Sequence, residues 1–292
     1  NKTKLYSNNI VDIFSYFLIL LAIFLISGPF LSDLAVSTLA ILSLFILRER
    51  KFFNNYFFII FMIFWALILL SSLFSEDKAL SFKNSIFYFR FCLFSLFVWL
   101  ILENNNKILK KINLILLFCF SALILDSFFQ YLNGVNFFNM KVVTQDRISS
   151  FFGDELILGS YLSRLWPIFF GLSILLFKKN NKIFYLFILS FILSEVLIFL
   201  SGERVAFFYI NLSALFVIIF SNKLLKLRLT TLIISLFLIL IISQINPTAK
   251  NRIIDKTISQ MNLSTSNTKS ETDNSNKNEK YIFSKQHTHL YI

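Results

Sequence analysis

The stretch LSGERVAFF, residues 200 to 208, sets Glu203 and Arg204 beside a glycine and between two long runs of Ile, Leu and Phe. Asp33, Arg90, Asp126, Arg164 and Glu195 also lie within or at the rims of apolar runs, and Arg147 stands in a loop with Asp146, Asp154 and Glu155 among aromatics. An ionisable group costs about 2.5–3.5 kcal/mol at the centre of a bilayer, so charges in such places point first to function. The chemistry offered by guanidinium groups in dry surroundings is anion binding, because arginine stays charged and presents a rigid fork of N–H donors. The competing reading is structural. Arginines near helix ends snorkel, an acid at a helix start favours the dipole, and Arg90, Asp126, Arg164 and Glu195 would serve as buried pairs that fix packing.

These residues must be positioned by membrane helices. With 57% hydrophobic and 15% charged residues among 292, the chain carries far more apolar surface than a soluble core requires. Nine apolar runs are long enough to cross a hydrocarbon core as helix: 10–29, 31–47, 56–74, 86–102, 112–132, 157–177, 183–200, 204–220 and 230–245. They are too uniformly apolar for barrel strands. The expected fold is an all-α, polytopic transmembrane bundle over 1–245, with 246–292 opening a large outer loop that includes a flexible Asn/Ser/Thr-rich linker at 262–280. The chain begins at Asn1 and stops at Ile292, and is read as a piece of a longer protein. Cys92 and Cys119 lie inside predicted spans as packing residues.

A net charge of +12 raises the question of nucleic acid, but the cations sort by segment. Lys2, Lys4, Arg48, Arg50, Lys51, Lys107, Lys110, Lys111, Lys178, Lys179, Lys182, Lys223, Lys226 and Arg228 gather at one set of span ends, against Asp12, Glu49 and Glu103. The positive-inside rule then places the amino terminus in the cytoplasm, and no nucleic-acid partner is needed.

In that orientation the intramembrane charges fall in the outer half, as do five of the six glycines. An outward-facing cavity is expected there, with the sixth span bent near Pro167. The Phe-rich loop 133–156 is expected to dip against the bundle and hang Arg147 over that cavity. Residues 249–261 place Ile253, Ile254, Ile258 and Met261 on one helical face, as in a helix lying on the membrane surface.

The stretch RISSFFGDELILGSYLSRLWP, the SGERVAFF step and a large outer loop after the ninth span resemble the O-antigen ligase and polymerase superfamily of bacterial envelope glycosyltransferases. The resemblance runs from about the fourth span to residue 292. It implies about a dozen spans in the bacterial inner membrane and an active face toward the periplasm. It also implies transfer of a glycan from a polyprenyl-pyrophosphate carrier to another carrier-linked glycan, to lipid A core or to a protein hydroxyl. Arg147 and Arg204 match the family's two pyrophosphate-holding arginines and become the candidate catalytic residues. Glu203, Arg90 and Arg164 become candidate substrate-binding or orienting groups around them.

The family's His-Asn-type motif is not matched by HTHLYI, so His287 and His289 are secondary candidates, and the catalytic histidine is expected further along the chain. The physical logic agrees, because cleavage of a sugar–pyrophosphate bond builds negative charge on the leaving oxygen, which fixed cations stabilise. No acidic cluster has clear metal spacing, so a metal-independent reaction without cofactor is expected. The alternative is a secondary transporter or flippase for a lipid-linked glycan, which would favour midplane charges, internal repeats and paired broken helices.

Overall fold

The computed structural model describes residues 8–46, 53–105, 107–142, 147–177, 182–220, 225–245 and 247–259. Its helices in chain order are α1 (Asn8–Ser27), α2 (Pro29–Ile46), α3 (Tyr56–Leu73), α4 (Lys78–Phe87), α5 (Phe89–Asn104) and α6 (Lys107–Asn133). A short 3-10 turn, Ser150–Phe152, precedes α7 (Leu158–Leu176), α8 (Lys182–Leu200), α9 (Arg204–Phe220) and α10 (Leu225–Ile245). The short α11 (Pro247–Lys250) runs on as a π-helical turn, Asn251–Asp255. Among the described residues there is no strand beyond an isolated bridge between Val135 and Lys141.

Six helical segments are long and apolar enough to cross a membrane: Tyr56–Leu73, Lys78–Glu103, Lys107–Asn133, Leu158–Leu176, Lys182–Leu200 and Leu225–Ile245. Three expected spans fall on shorter apolar helices, Ser15–Ser27, Pro29–Leu44 and Arg204–Phe220. The chain is thus an all-helical membrane protein. The fourth expected span starts earlier than its apolar run, because Asp77 caps Lys78–Phe87 by accepting from the Leu80 amide at 3.1 Å, and the chain breaks helix only at Tyr88. Pro167 sits inside α7.

Two apolar clusters share α6. One gathers Leu39, Cys92, Leu96, Phe97 and Ile101 from α2 and α5; the other packs Phe120, Trp166, Phe169, Phe187 and Phe191 from α6, α7 and α8. The aromatic rings interlock, with Trp166 stacked on Phe170 at 4.7 Å and Phe169 edge-on to Phe191 at 5.1 Å. Cys92 and Cys119 are both buried and unpaired in these clusters.

Polar side chains join helices where the core would otherwise slide. The Tyr161 hydroxyl donates to the Ala22 carbonyl at 2.9 Å, and Asn113 donates to Ser173 at 3.1 Å. At one end of the bundle, Lys111 lies over the Tyr16 ring and Lys110 over Phe177. The starts of α1 and α6 and the end of α7 therefore share that end, while the starts of α7 and α9 meet at the other.

Arg228 corrects the charge sorting. It is no rim cation. It pairs with Glu195 of α8 inside the bundle at 1% side-chain exposure, receives the Trp166 ring at 4.4 Å, and reaches Thr231; Ser235 donates to the same carboxylate. Trp166 lies eight residues into α7, about 12 Å from its start at helical rise. The apolar run that marks this span starts only at residue 230, which leaves Arg228 outside it; α10 begins at Leu225 and carries the residue inward. Without Arg228 the set counts thirteen cations in the sequence.

Candidate functional site

The Ser201-Gly202-Glu203 turn between α8 and α9 organises the polar end of the molecule. Gly202 has φ +68°, a left-handed conformation that glycine adopts without strain and that reverses the chain here. Glu203 then faces the start of α7, whose first amides have no intrahelical acceptor. Its Oε1 accepts from the Gly159 amide at 2.7 Å, and its Oε2 accepts from the Ser160 amide at 3.0 Å and the Ser160 hydroxyl at 2.6 Å. A carboxylate at a helix amino terminus is favoured by the dipole as well as by these bonds. Gly159 is required by proximity, because a Cβ there would stand 2.5 Å from Ser201 Oγ.

Arg147 reaches the same turn. Its Nε donates to the Ser201 carbonyl at 2.9 Å, and it is half-buried. Burial pushes its pKa down, the Arg252 charge adds to that, and the Glu203 charge opposes both. Glu203, expected to orient guanidinium groups, thus accepts its hydrogen bonds from α7 and bears on Arg147 through its charge.

The loop carrying Arg147 is held from below by two residues one turn apart on α6. Asp126 accepts from the Phe137 amide at 2.9 Å and the Ser150 hydroxyl at 2.6 Å. Gln130 accepts from the Ser149 and Ser150 amides at 3.1 and 2.8 Å. Asn136 closes the loop by donating to the Ser150 carbonyl and accepting from the Phe138 and Met140 amides. Ile148, Ser149, Ser150 and Phe152 are buried, so this part of the loop does pack into the bundle, whereas Phe137 and Phe138 stay exposed.

No family model matches the chain, and neither a curated protein nor a solved structure matches it significantly. The site must be read from its own geometry.

The remaining sequence candidates are distributed as follows. Arg204 opens α9 two residues from Gly202 and is exposed. Arg90 pairs with Asp33 and donates to Ser37 at 3.1 Å, tying α5 to α2 while stacking on Phe91; its contacts belong to that helix pair and not to the Gly202 turn. Arg164 is exposed on α7 and, among the described residues, makes no hydrogen bond or ion pair. His287, His289 and the linker 262–280 lie outside the described residues.

Sequence reasoning missed Arg252, whose Cδ comes 3.4 Å from the Cβ position of Gly202. The expected surface helix docks on the bundle, burying Ala249 and Ile253 in the larger core cluster, which is what brings Arg252 there. It also missed Ser160, Gln130 and Asn136. Only the Asp126/Gln130 spacing of four carried a signal, two polar groups on one face of an apolar helix. Among the described residues no three His, Cys, Asp or Glu gather in a metal-binding group. A cavity of about 190 Å³ lies at the opposite, lysine-bearing end, lined by Ser15, Tyr16, Asn105 and Lys111.

Proposed function

We propose that the chain is a bacterial inner-membrane glycosyltransferase that moves a glycan from a polyprenyl-pyrophosphate carrier to an acceptor hydroxyl on the periplasmic side, as a surface-polysaccharide polymerase or ligase. The observation that carries the reading is Arg147 fixed through Nε on a turn that Glu203 locks to α7, with Arg204 at the next helix start. Positioned cations at a partly dry site suit a departing diphosphate. In the reaction, the acceptor oxygen bonds to the donor's anomeric carbon as that carbon's bond to pyrophosphate breaks, the electron pair leaving with the lipid diphosphate. Arg147 and Arg204 hold that developing charge. The proton of the acceptor passes to a base; Glu203, whose oxygens are occupied by α7, is not assigned that role. The nine-span topology, the cytoplasmic amino terminus and the outward cavity belong to this reading and rest on the cation distribution.

The test is complementation of a polysaccharide-deficient host with the full-length gene. A glycan ladder identifies a polymerase, and core-linked glycan a ligase. Arg147→Lys and Arg204→Lys keep charge but lose the fork; each should reduce product at least tenfold at unchanged expression, and wild-type product in both would overturn the diphosphate role.

The buried Glu195–Arg228 pair favours a second reading, transport of a lipid-linked glycan, because transporters place charges at depth. Transport would require Glu195→Gln to stop translocation of a labelled donor in vesicles while Arg147→Lys leaves it intact.

A further inference from the structure

We propose that the cavity between the start of α1 and the α5–α6 turn binds a phosphate group, and that this phosphate belongs to the headgroup of an anionic phospholipid. The site lies at the end of the bundle opposite the Gly202 turn, and it is independent of the diphosphate reading above.

The cavity, of about 190 Å³, is walled by Ser15, Tyr16, Ile19, Asn105, Ile108 and Lys111. A single water needs only roughly 10–15 Å³. Ser15 begins the apolar stretch Ser15–Ser27 and Lys107 begins the spanning helix Lys107–Asn133, so the cavity stands where apolar segments meet water, at the level of lipid headgroups. Ile19 and Ile108 of the wall are buried in the smaller core cluster. Every polar side chain of the wall can donate a hydrogen bond. Lys111 Nζ is held 5.1 Å from the centroid of the Tyr16 ring, and among the described residues it makes no ion pair. Asn105 Oδ1 accepts from the Lys107 amide at 3.1 Å, which fixes the orientation of the side-chain amide and leaves Nδ2, a pure donor, without a partner among the described residues. No described residue of the wall is acidic. A cation and an amide donor lining a space without a carboxylate suit an anion, and phosphate oxygens accept from both.

The lipid source follows from what lies deeper in the same two helices. Leu20 stands one turn from Tyr16 on α1, Leu114 and Phe118 stand one and two turns from Lys111 on α6, and all three are exposed. An acyl chain attached to a headgroup in the cavity therefore has an apolar path to follow, which free phosphate would leave unused. Lysines near a membrane surface attract anionic lipids, and basic pockets between membrane helices hold their headgroups. Lys110, the next residue in sequence, lies over Phe177 and is not part of the wall, which makes it a matched control.

The experiment titrates the full chain, purified in uncharged detergent, with short-chain phosphatidylglycerol, with phosphatidylcholine of the same chain length and with inorganic phosphate. Thermal melting reads all three, and native mass spectrometry counts bound lipid. Phosphatidylglycerol should bind several times more tightly than either competitor. Lys111→Gln should weaken it about fivefold, the loss of one lysine near an anionic headgroup, whereas Lys110→Gln should stay within twofold of wild type. Asn105→Asp keeps an acceptor for the Lys107 amide, so the lipid-free melting temperature should hold, yet it sets a negative charge against the phosphate and should weaken binding at least as much. A merely structural role for Asn105 would leave lipid binding unchanged by that substitution. If Lys111→Gln and Asn105→Asp both bind phosphatidylglycerol within twofold of wild type, the cavity is not the site. If inorganic phosphate binds as tightly and displaces the lipid, or phosphatidylcholine binds equally well, the anionic-lipid assignment falls.

Discussion

Glu203 gives the sharpest test of how the site is built, because three bonds meet on one half-buried carboxylate. Glu203→Ala strips the Gly159 and Ser160 amides and the Ser160 hydroxyl of their acceptor. Gly159 is buried, so water cannot replace the lost partner there, whereas the half-buried Ser160 recovers part of the loss. Hydrogen bonds to a charged group contribute roughly 1.5–3 kcal/mol each, and loss of a helix cap costs roughly 0.5–2 kcal/mol. With one site repaid by water, about 2–4 kcal/mol is expected for the substitution. At roughly 2–4 °C per kcal/mol, the melting temperature falls by about 4–16 °C. Glu203→Gln keeps one acceptor oxygen and turns an NH2 toward the other amide, and should cost about half as much. Melting in detergent by intrinsic fluorescence, paired with product formation, reads both. Activity should fall further than stability alone explains, because the Ser201 carbonyl that holds Arg147 sits on the same turn. A Glu203→Ala protein that melts within about 2 °C of wild type and keeps its turnover would refute the reasoning, since the turn would then hold without its cap.

Four further outcomes are expected. Glu195→Ala leaves Arg228 charged and sealed, costing about 3–5 kcal/mol, whereas Glu195→Leu with Arg228→Met should recover most of it in melting measurements, aided by removal of the orphaned Arg228 Nε. Gly159→Ala drives a methyl toward Ser201 Oγ and Glu203, costing about 1–3 kcal/mol by melting, and Ser201→Ala should restore part of that. Asp126→Ala releases the loop at Ser150 and Phe137, so trypsin should cleave at Lys141 and Arg147 several times faster than in wild type, with gel-resolved fragments as the readout. Asp33→Asn breaks a pair that is about half exposed on the aspartate side, so the change should stay within about 1 kcal/mol by melting and leave product formation intact.

The helices were legible because long apolar runs admit little else in a membrane, and the nine runs lie on helices, the fourth of them across the break at Tyr88. What periodicity misjudged were ends fixed by polar detail. Asp77 extends the fourth segment by capping, and Arg228, read as a flanking cation, is drawn into α10 by the length of that helix and the Glu195 carboxylate opposite. The site was half legible. Glu203 and Arg147 drew notice as charges in apolar surroundings, and they do meet at one turn. Arg252 had no such mark, because no long apolar run surrounds it and its place follows from tertiary docking of Ala249 and Ile253. Local composition does not encode that contact.

The three clamps, Asp126 with Gln130, Glu203 with the start of α7, and Glu195 with Arg228, have one physical feature in common. Each joins an acid or amide on one element to hydrogen-bond donors on another, in surroundings where leaving them unpaired is costly. Together they fix the loop, the turn and α10, the first two of which carry or lead to Arg147 and Arg204. Apolar packing between greasy helices tolerates sliding, since lipid is as good a neighbour as another Leu or Phe, and therefore cannot hold guanidinium groups in register. Directional bonds can. Weakening a clamp should accordingly lower anion affinity without touching any arginine. Asp126→Ala provides the case: pyrophosphate binding should weaken severalfold and recover when the loop is tethered by a disulfide engineered between α6 and the Ser149-Ser150 step. If the tether restores protease resistance and the affinity stays low, the loop's position is not what the clamp supplies, and the coupling argued here is wrong.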